Sequence, residues 1–278
     1  MDLFRLQDLP VELQRSILEV TARMDLKTAL NLSLVCHQLH ECEEICRRIQ
    51  PLIYEMVTLG RGDVALFLRT MAMFPADFFV RYVKRLCLTV SVRPHDARTI
   101  LQTCTGVSNL ACWVDFMGIS PASPFRHLFY PLPLRRLSIE VGHFRQLGFS
   151  ECVWTGSLTC LDIVFWDQGP LVLSELRFLP SLARLSLYLS QSDVDEPSLL
   201  SILSATPTLQ ILVLVVEEDD LDRFEHTTRI DPRIVCMPHP PTVPDWEAPH
   251  RGLPDLWSHA EEIVDERRRA ANQMQTQE

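Results

Sequence analysis

Apolar residues recur at helical spacing through the first fifty positions of the chain. Leu13, Ile17, Val20 and Met24 follow one another at intervals of three or four residues after Pro10, and this spacing places them on one face of a helix. The same kind of spacing recurs between residues 35 and 49, before a proline ends the run. The pattern predicts a module of three short helices over residues 1–50, which is too small to bury its own apolar faces.

From residue 51 onward the pattern changes to Leu-x-x-Leu-x-Leu. Its clear copies are Leu134-x-x-Leu137-x-Ile139, Leu158-x-x-Leu161-x-Ile163, Leu182-x-x-Leu185-x-Leu187 and Leu209-x-x-Leu212-x-Leu214. With three weaker copies, the central positions are 57, 86, 110, 137, 161, 185 and 212, at intervals of 24 to 29 residues. This period is typical of leucine-rich repeats, in which a short strand turns alternate apolar residues inward and a helix closes each unit.

The fold class predicted from these two patterns is α/β, with an N-terminal three-helix module followed by an irregular leucine-rich-repeat solenoid. The predicted boundaries are 1–50 for the module and 51–225 for about seven repeats. Residues 226–278 are predicted to be an acidic and Pro-rich linker with a final helix and a frayed tail, because six prolines fall between residues 238 and 254. Helical periodicity resumes at about Asp255 and continues to about Ala271.

Charge and composition exclude several functional classes. The 278 residues carry a net charge of −10, so the phosphate backbone of a nucleic acid would repel the chain. The longest aliphatic run, Ile211 to Val216, is far shorter than a membrane span. Neither nucleic acid nor membrane is therefore an expected partner. The nine cysteines include no Cys-x-x-Cys pair, which favours free thiols in the reducing cytoplasm or nucleus.

Candidate chemistry is sparse along the chain. No phosphate-binding loop, dinucleotide fingerprint, nucleophile elbow or His-Glu-x-x-His motif occurs, and we predict no catalytic residue and no cofactor. Cys36, His40, Cys42 and Cys46 invite a zinc hypothesis, but the first two centre about 120° around the helix from the last two. Buried thiols are the better interpretation, and no metal site is predicted. An unrecognised thiol enzyme stays open as an alternative.

The strand positions beside the inward apolar residues predict a binding face. Arg85, Arg136 and Arg184 occupy the same place in three units, and Trp113 and Tyr188 lie on neighbouring positions. Arginine next to aromatic residues suits an acidic or phosphorylated protein segment. These five residues are therefore the candidate target-binding residues, and ordinary solvated charge on an exposed sheet is the alternative.

The N-terminal residues resemble a known family. Leu9-Pro10-Val11-Glu12-Leu13, followed by Ile17-Leu18 and by residues 29–36, Ala-Leu-Asn-Leu-Ser-Leu-Val-Cys, is similar to an F-box. It resembles the form found in fungal F-box-like proteins that continue into irregular leucine-rich repeats. The resemblance implies that the N-terminal helices bind the Skp-family adaptor, and through it a cullin scaffold. The implied adaptor-binding residues are Leu9, Pro10, Ile17, Leu18, Val35, Cys36 and Leu39.

The function that follows from this resemblance is substrate recognition in an SCF-type (cullin–RING) ubiquitin ligase, with an unknown protein as the substrate. The alternative is a non-catalytic repeat scaffold unrelated to ubiquitin, in which the N-terminal helices only cap the array. Exposure separates the two hypotheses. Leu9, Pro10, Ile17 and Val35 should be partly exposed if they bind a partner and covered if they cap.

Overall fold

The computed structural model describes residues 9–24, 51–114, 126–166, 171, 173–189 and 194–275. Within these ranges eight strands form one parallel sheet, and the strand order follows the chain. The strands are β1 (Met56–Leu59), β2 (Arg85–Leu88), β3 (Asn109–Cys112), β4 (Arg136–Glu140), β5 (Cys160–Phe165), β6 (Arg184–Leu189), β7 (Ile211–Val216) and β8 (Ile234–Pro238). A parallel pair of strands needs a crossover connection. After each strand the chain therefore crosses back to the end of the sheet at which all the strands begin.

The described helices are uneven in length. Those with both ends described are α1 (Val11–Met24), α2 (Val64–Met73), α3 (Ala76–Tyr82), α4 (Pro94–Thr103), α5 (Val141–Arg145), α6 (Glu196–Ala205), α7 (Leu221–Phe224), α8 (Thr242–Glu247) and α9 (Leu256–Gln275). Residues 51–55 are helical as well. Other parts of the connections form short 3-10 turns, such as Phe149–Glu151 and Ser174–Phe178. Polar side chains start some of the helices: Asp195 accepts a hydrogen bond from the Ser198 backbone N–H at 3.2 Å before α6.

The register of the sheet follows the apolar repeat. The central repeat positions are consecutive Cα partners across the sheet, in the order Val57, Leu86, Leu110, Leu137, Leu161, Leu185 and Leu212. A shift of one residue would turn every one of these side chains to the opposite face. The repeat therefore fixes both the strand positions and their register.

Two hydrophobic clusters lie on opposite faces of the sheet. The back face carries the inward repeat residues, which pack with the connections in one large core that includes Phe79, Ile100 and Trp154. The front face carries the alternate strand residues, among them Cys87, Ala111, Val213 and Val235. The C-terminal segment, residues 239–275, covers this front face, and the buried side chains that it adds to the front-face cluster are Trp246, Leu256, Trp257, Ala260 and Val264.

The C-terminal segment reaches the sheet from one edge to the other. Thr58 on β1 donates a hydrogen bond to the Glu247 carboxylate at 2.7 Å. At the opposite edge, Arg267 on α9 donates to the carbonyl of Ile234 on β8 at 2.6 Å. The Pro-rich stretch that the sequence predicts to be a spacer thus contains α8 and a buried tryptophan, and β8 is a strand that the repeat did not reveal.

The predicted fold class is wrong. The structure is an α/β fold with a single eight-stranded parallel sheet, and not a three-helix module followed by a leucine-rich-repeat solenoid. The repeat spacing predicts where the strands recur, but it does not predict what packs on the second face of the sheet. Here both faces are covered, as is usual for parallel sheets. Of the three predicted N-terminal helices only α1 is described, and residues 25–50 lie outside the described ranges.

Candidate functional site

The first candidate site is an exposed apolar stripe on α1. Leu13, Ile17 and Val20 are 51 %, 44 % and 60 % exposed, and their spacing places them on one helix face. Pro10, just before the helix, is exposed, and Leu9 is half-buried. Large apolar side chains that are exposed together mark an interaction surface.

The remaining predicted adaptor-binding residues are not described. The backbone of Leu18 lies in α1, but its side chain is outside the description, as are Val35, Cys36 and Leu39 altogether. The helix also contacts the turn Ala248–Arg251 of the C-terminal segment. The stripe on α1 is consequently the part of the predicted surface that can be evaluated.

The predicted target-binding residues lie on the front face, but they do not form an open surface. Trp113 and Tyr188 are 7 % and 8 % exposed and pack in the cluster that contains the C-terminal segment. The Arg136 side chain is also buried, whereas Arg184 is partly exposed and Arg85 is half-buried. The structure thus brings these residues onto one face and closes most of that face with the chain's own C-terminal segment.

Arg136 joins the sheet to the C-terminal segment. Its Nε donates a hydrogen bond to the Asp162 carboxylate on β5 at 3.4 Å, and its Nη1 lies 3.6 Å from the carboxylate of Asp255. The guanidinium also lies 4.5 Å from the centre of the Trp246 ring, a cation–π arrangement. Ser186 completes the network by donating to Asp162 at 2.6 Å.

Burial controls the charges of this network. It raises the pKa of the Asp162 carboxyl by more than Arg136 and Ser186 lower it. It also raises the pKa of Asp245 to about 6, although that carboxylate accepts a hydrogen bond from the Leu256 backbone N–H. Burial alone would lower the pKa of Arg136, and the nearby acidic groups, Asp162 foremost, raise it further than burial lowers it. Burial therefore favours the neutral forms of Asp162 and Asp245, and the Arg136 cation opposes this effect.

A second candidate site is a cleft beside this network, which we call the arginine cleft. It lies between the first residues of β3 to β6 and residues 249–261, and its volume is about 430 Å³. Its charged lining residues are Arg135, Arg136, Arg184, Asp255 and Glu261, and its apolar ones include Pro249, Leu253 and Trp257. The Arg184 guanidinium pairs with the Glu261 carboxylate across the cleft.

The described cysteines are not poised for chemistry. Burial raises the pKa of the Cys104, Cys112 and Cys152 thiols to about 12, and it raises that of Cys87 and Cys160 as well. A nucleophilic thiol needs the opposite shift. These residues consequently give no support to the thiol-enzyme alternative. Cys36, Cys42 and Cys46, for which the sequence predicts buried thiols and no zinc site, lie outside the described residues.

Sequence reasoning missed Arg135, Asp255, Trp246 and Trp257 as parts of a site. Two signals in the sequence nevertheless indicate that the final helix covers the front face of the sheet. The outward positions of β7 are Ile211, Val213 and Val215, and such apolar residues require a cover. The final helix supplies one, since its residues 256, 257, 260 and 264 are apolar at helical spacing.

Comparison of the chain with protein-family models, with curated proteins and with solved structures found no match. Among the described residues, no three His, Cys, Asp or Glu side chains are grouped so that they could hold a metal ion. No helix in the described ranges has both the length and the apolar character that crossing a membrane requires. The features that bear on function are therefore the geometry of α1 and that of the arginine cleft.

Proposed function

We propose that this protein is the substrate-recognition subunit of an SCF-type (cullin–RING) ubiquitin ligase. In this proposal the N-terminal region binds a Skp-family adaptor and, through it, a cullin scaffold, while another surface holds a protein target. Partner subunits would carry out ubiquitin transfer, so this chain would contribute proximity and orientation. The proposal places the protein in the cytoplasm, the nucleus or both.

The observation that carries the proposal is the apolar stripe on α1. Complete burial of a Leu, Ile or Val side chain stabilises a complex by roughly 1.5–3 kcal/mol, and Leu13, Ile17 and Val20 are each about half exposed. A partner groove that covers the stripe would gain about half of that amount from each side chain. An amphipathic helix bound in a groove is a common recognition mode. The stripe begins within the Leu9–Leu13 segment that resembles an F-box.

A second candidate function is a protein-interaction scaffold with no link to ubiquitin. The contact between α1 and Ala248–Arg251 favours it, because a helix packed on the body of the protein can serve as a cover alone. The exposure of Pro10 and Ile17 opposes it, because a covering helix buries its apolar face. The two functions differ in whether an adaptor binds.

Co-purification of the full chain with the Skp-family adaptor tests the proposal. The variant Leu13→Asp/Ile17→Asp should lose adaptor binding by at least about tenfold, since both apolar anchors become charged. The control is Leu66→Asp/Met73→Asp on α2, which charges two apolar side chains that are 56 % and 77 % exposed. This control should bind as the wild type does.

The possible outcomes are distinct. Stoichiometric binding that only the α1 variant loses would support the receptor function. Folded wild-type chain that does not bind the adaptor would refute it and leave the scaffold function. Equal losses in both variants would show that the stripe on α1 is not the adaptor surface.

A further inference from the structure

Among the described residues, one cation of the arginine cleft has no partner. Arg136 is held between Asp162 and Asp255, and Arg184 is paired with Glu261. The side chain of Arg135 is exposed, and its guanidinium makes no ion pair or hydrogen bond with any described residue. Its backbone is fixed nevertheless, because the N–H donates to the Ser108 carbonyl at 2.7 Å and the carbonyl accepts from two N–H groups of the next repeat. A rigid main chain thus presents an unpaired charge at the edge of the cleft.

Apolar side chains form the other wall of the cleft. Leu253 is 56 % exposed, Pro249 is exposed, and Trp257 supplies a buried aromatic surface beside them. The volume of about 430 Å³ falls in the range of roughly 300–1,000 Å³ that is common for ligand pockets. A cation opposite an apolar wall fits a ligand that carries one acidic group next to one apolar group.

A carboxylate of the chain itself already pairs with one arginine of the cleft. The Glu261 carboxylate on α9 pairs with Arg184 inside the cleft. Arg136 and Arg184 are thus both paired with carboxylates of the chain, and Arg135 is the third arginine of the lining. A single guanidinium matches the single charge of a carboxylate. A phosphoryl group would carry about two negative charges and would leave one of them unmatched.

We propose that the arginine cleft binds an aspartate or glutamate side chain of an acidic protein segment. Arg135 forms the ion pair, and Leu253 contacts an adjacent apolar side chain of the same segment. This inference rests on the proposed function, because it assigns the target site of that receptor and the chemistry of the target. It also replaces the broad front face predicted from the sequence with the part of that face that stays open.

Glu261 acts as an internal competitor in this proposal. Its carboxylate is paired with the Arg184 guanidinium, so the guanidinium that a ligand can bind is that of Arg135. The variant Glu261→Gln removes that charge and releases Arg184, so acidic segments should bind several-fold more tightly to it. This gain of binding is a result that simple unfolding of a variant cannot imitate.

The test uses the full chain and fluorescent nine-residue peptide pools, read by polarisation. Each pool fixes glutamate, glutamine or phosphoserine at the centre and randomises the flanking positions without cysteine. The glutamate pool should bind at least about tenfold more tightly than the glutamine pool. Arg135→Ala should abolish that difference, and Leu253→Ala should weaken binding of the glutamate pool. Arg98→Ala, which removes an exposed arginine on α4, is the matched control and should bind as the wild type does.

Several results would overturn the inference. They are equal binding of the glutamate and glutamine pools, unchanged binding by the folded Arg135→Ala variant, no binding of any pool, and tighter binding of the phosphoserine pool than of the glutamate pool. Adaptor binding by the same preparation separates the two proposals. A chain that binds the adaptor but no acidic peptide contradicts the cleft assignment alone, and a chain that binds acidic peptides but no adaptor contradicts the receptor function alone.

Discussion

Replacement of Trp257 tests whether the C-terminal segment is an integral part of the core. Trp257 is 2 % exposed and packs against the front face of the sheet. Truncation of a buried tryptophan to alanine costs about 3–5 kcal/mol. Its indole N–H, however, is buried with no hydrogen-bond partner in the described ranges, and an unpaired buried donor costs roughly 1–3 kcal/mol. Removal of that donor offsets part of the loss, so Trp257→Ala should lower the free energy of unfolding by about 2 kcal/mol, the difference between the middle values of the two ranges.

Chemical denaturation followed by circular dichroism measures this change. A thermal scan gives a second readout, with an expected drop in Tm of about 4–8 °C, since 1 kcal/mol shifts the Tm of a large domain by about 2–4 °C. The control Leu253→Ala changes a side chain of the same segment that is 56 % exposed, and it should cost less than about 0.5 kcal/mol. If Trp257→Ala unfolds within about 1 kcal/mol of the wild type, the reasoning that the segment completes the front-face core is refuted.

Three further predictions concern pH, backbone packing and thiols. Burial raises the pKa of Asp245 from 3.8 to about 6, so the folded state holds the proton of this carboxyl more tightly than the unfolded state does. The unfolding free energy of the wild type minus that of Asp245→Asn should therefore fall as the pH rises from about 4 to about 6, and it should stay level above pH 6. Denaturation at several pH values measures this difference, and a difference that rises with pH contradicts the prediction. A Cβ at Gly106 would lie 1.8 Å from the Val80 carbonyl oxygen of α3, so Gly106→Ala should lower the free energy of unfolding by about 1–3 kcal/mol. The control Gly156→Ala should not lower it, because no described atom lies within 4 Å of a Cβ at that position. Equal stabilities of the two variants in chemical denaturation would contradict this packing. Cys104 is buried, and burial raises the pKa of its thiol to about 12. Iodoacetamide at pH 8 should therefore alkylate Cys104 only after the protein unfolds. Peptide mass spectrometry measures the labelling, and rapid labelling of the native protein would disprove the burial.

The strands could be predicted because their signal is local. Each copy of the repeat places apolar residues at alternate positions, and a strand buries such residues on one face whatever lies elsewhere in the chain. The final helix was predicted from about Asp255 to about Ala271 and is observed at Leu256–Gln275, because the helical period is a local feature too. β8 escaped prediction because its sequence, Ile234–Pro238, follows no Leu-x-x-Leu-x-Leu pattern. Its neighbour β7 supplies the pairing that makes it a strand.

The candidate site was predicted only in part. Arg136 and Arg184 were identified from their equal places in the repeat, and they do line the arginine cleft. Asp255 and Glu261 lie 119 and 77 residues further along the chain from these arginines, respectively. Sequence periodicity carries no information about such distant pairs. The predicted open binding face was therefore closed in the structure by residues whose role was not visible in the sequence.

The sequence by itself determined the eight-strand sheet up to its seventh strand, its register, the long C-terminal helix and the apolar stripe on α1, because each of these depends on the spacing of residues near one another. Only the tertiary structure decided that the C-terminal segment covers the front face and that Arg136 is buried among carboxylates of β5 and of that segment. It also decided that Arg135 is the exposed arginine of the cleft, which pairs with no other residue that the structure describes. These features depend on which distant surfaces meet, and that choice is made by burying the apolar front face as a whole, which no single stretch of the sequence encodes.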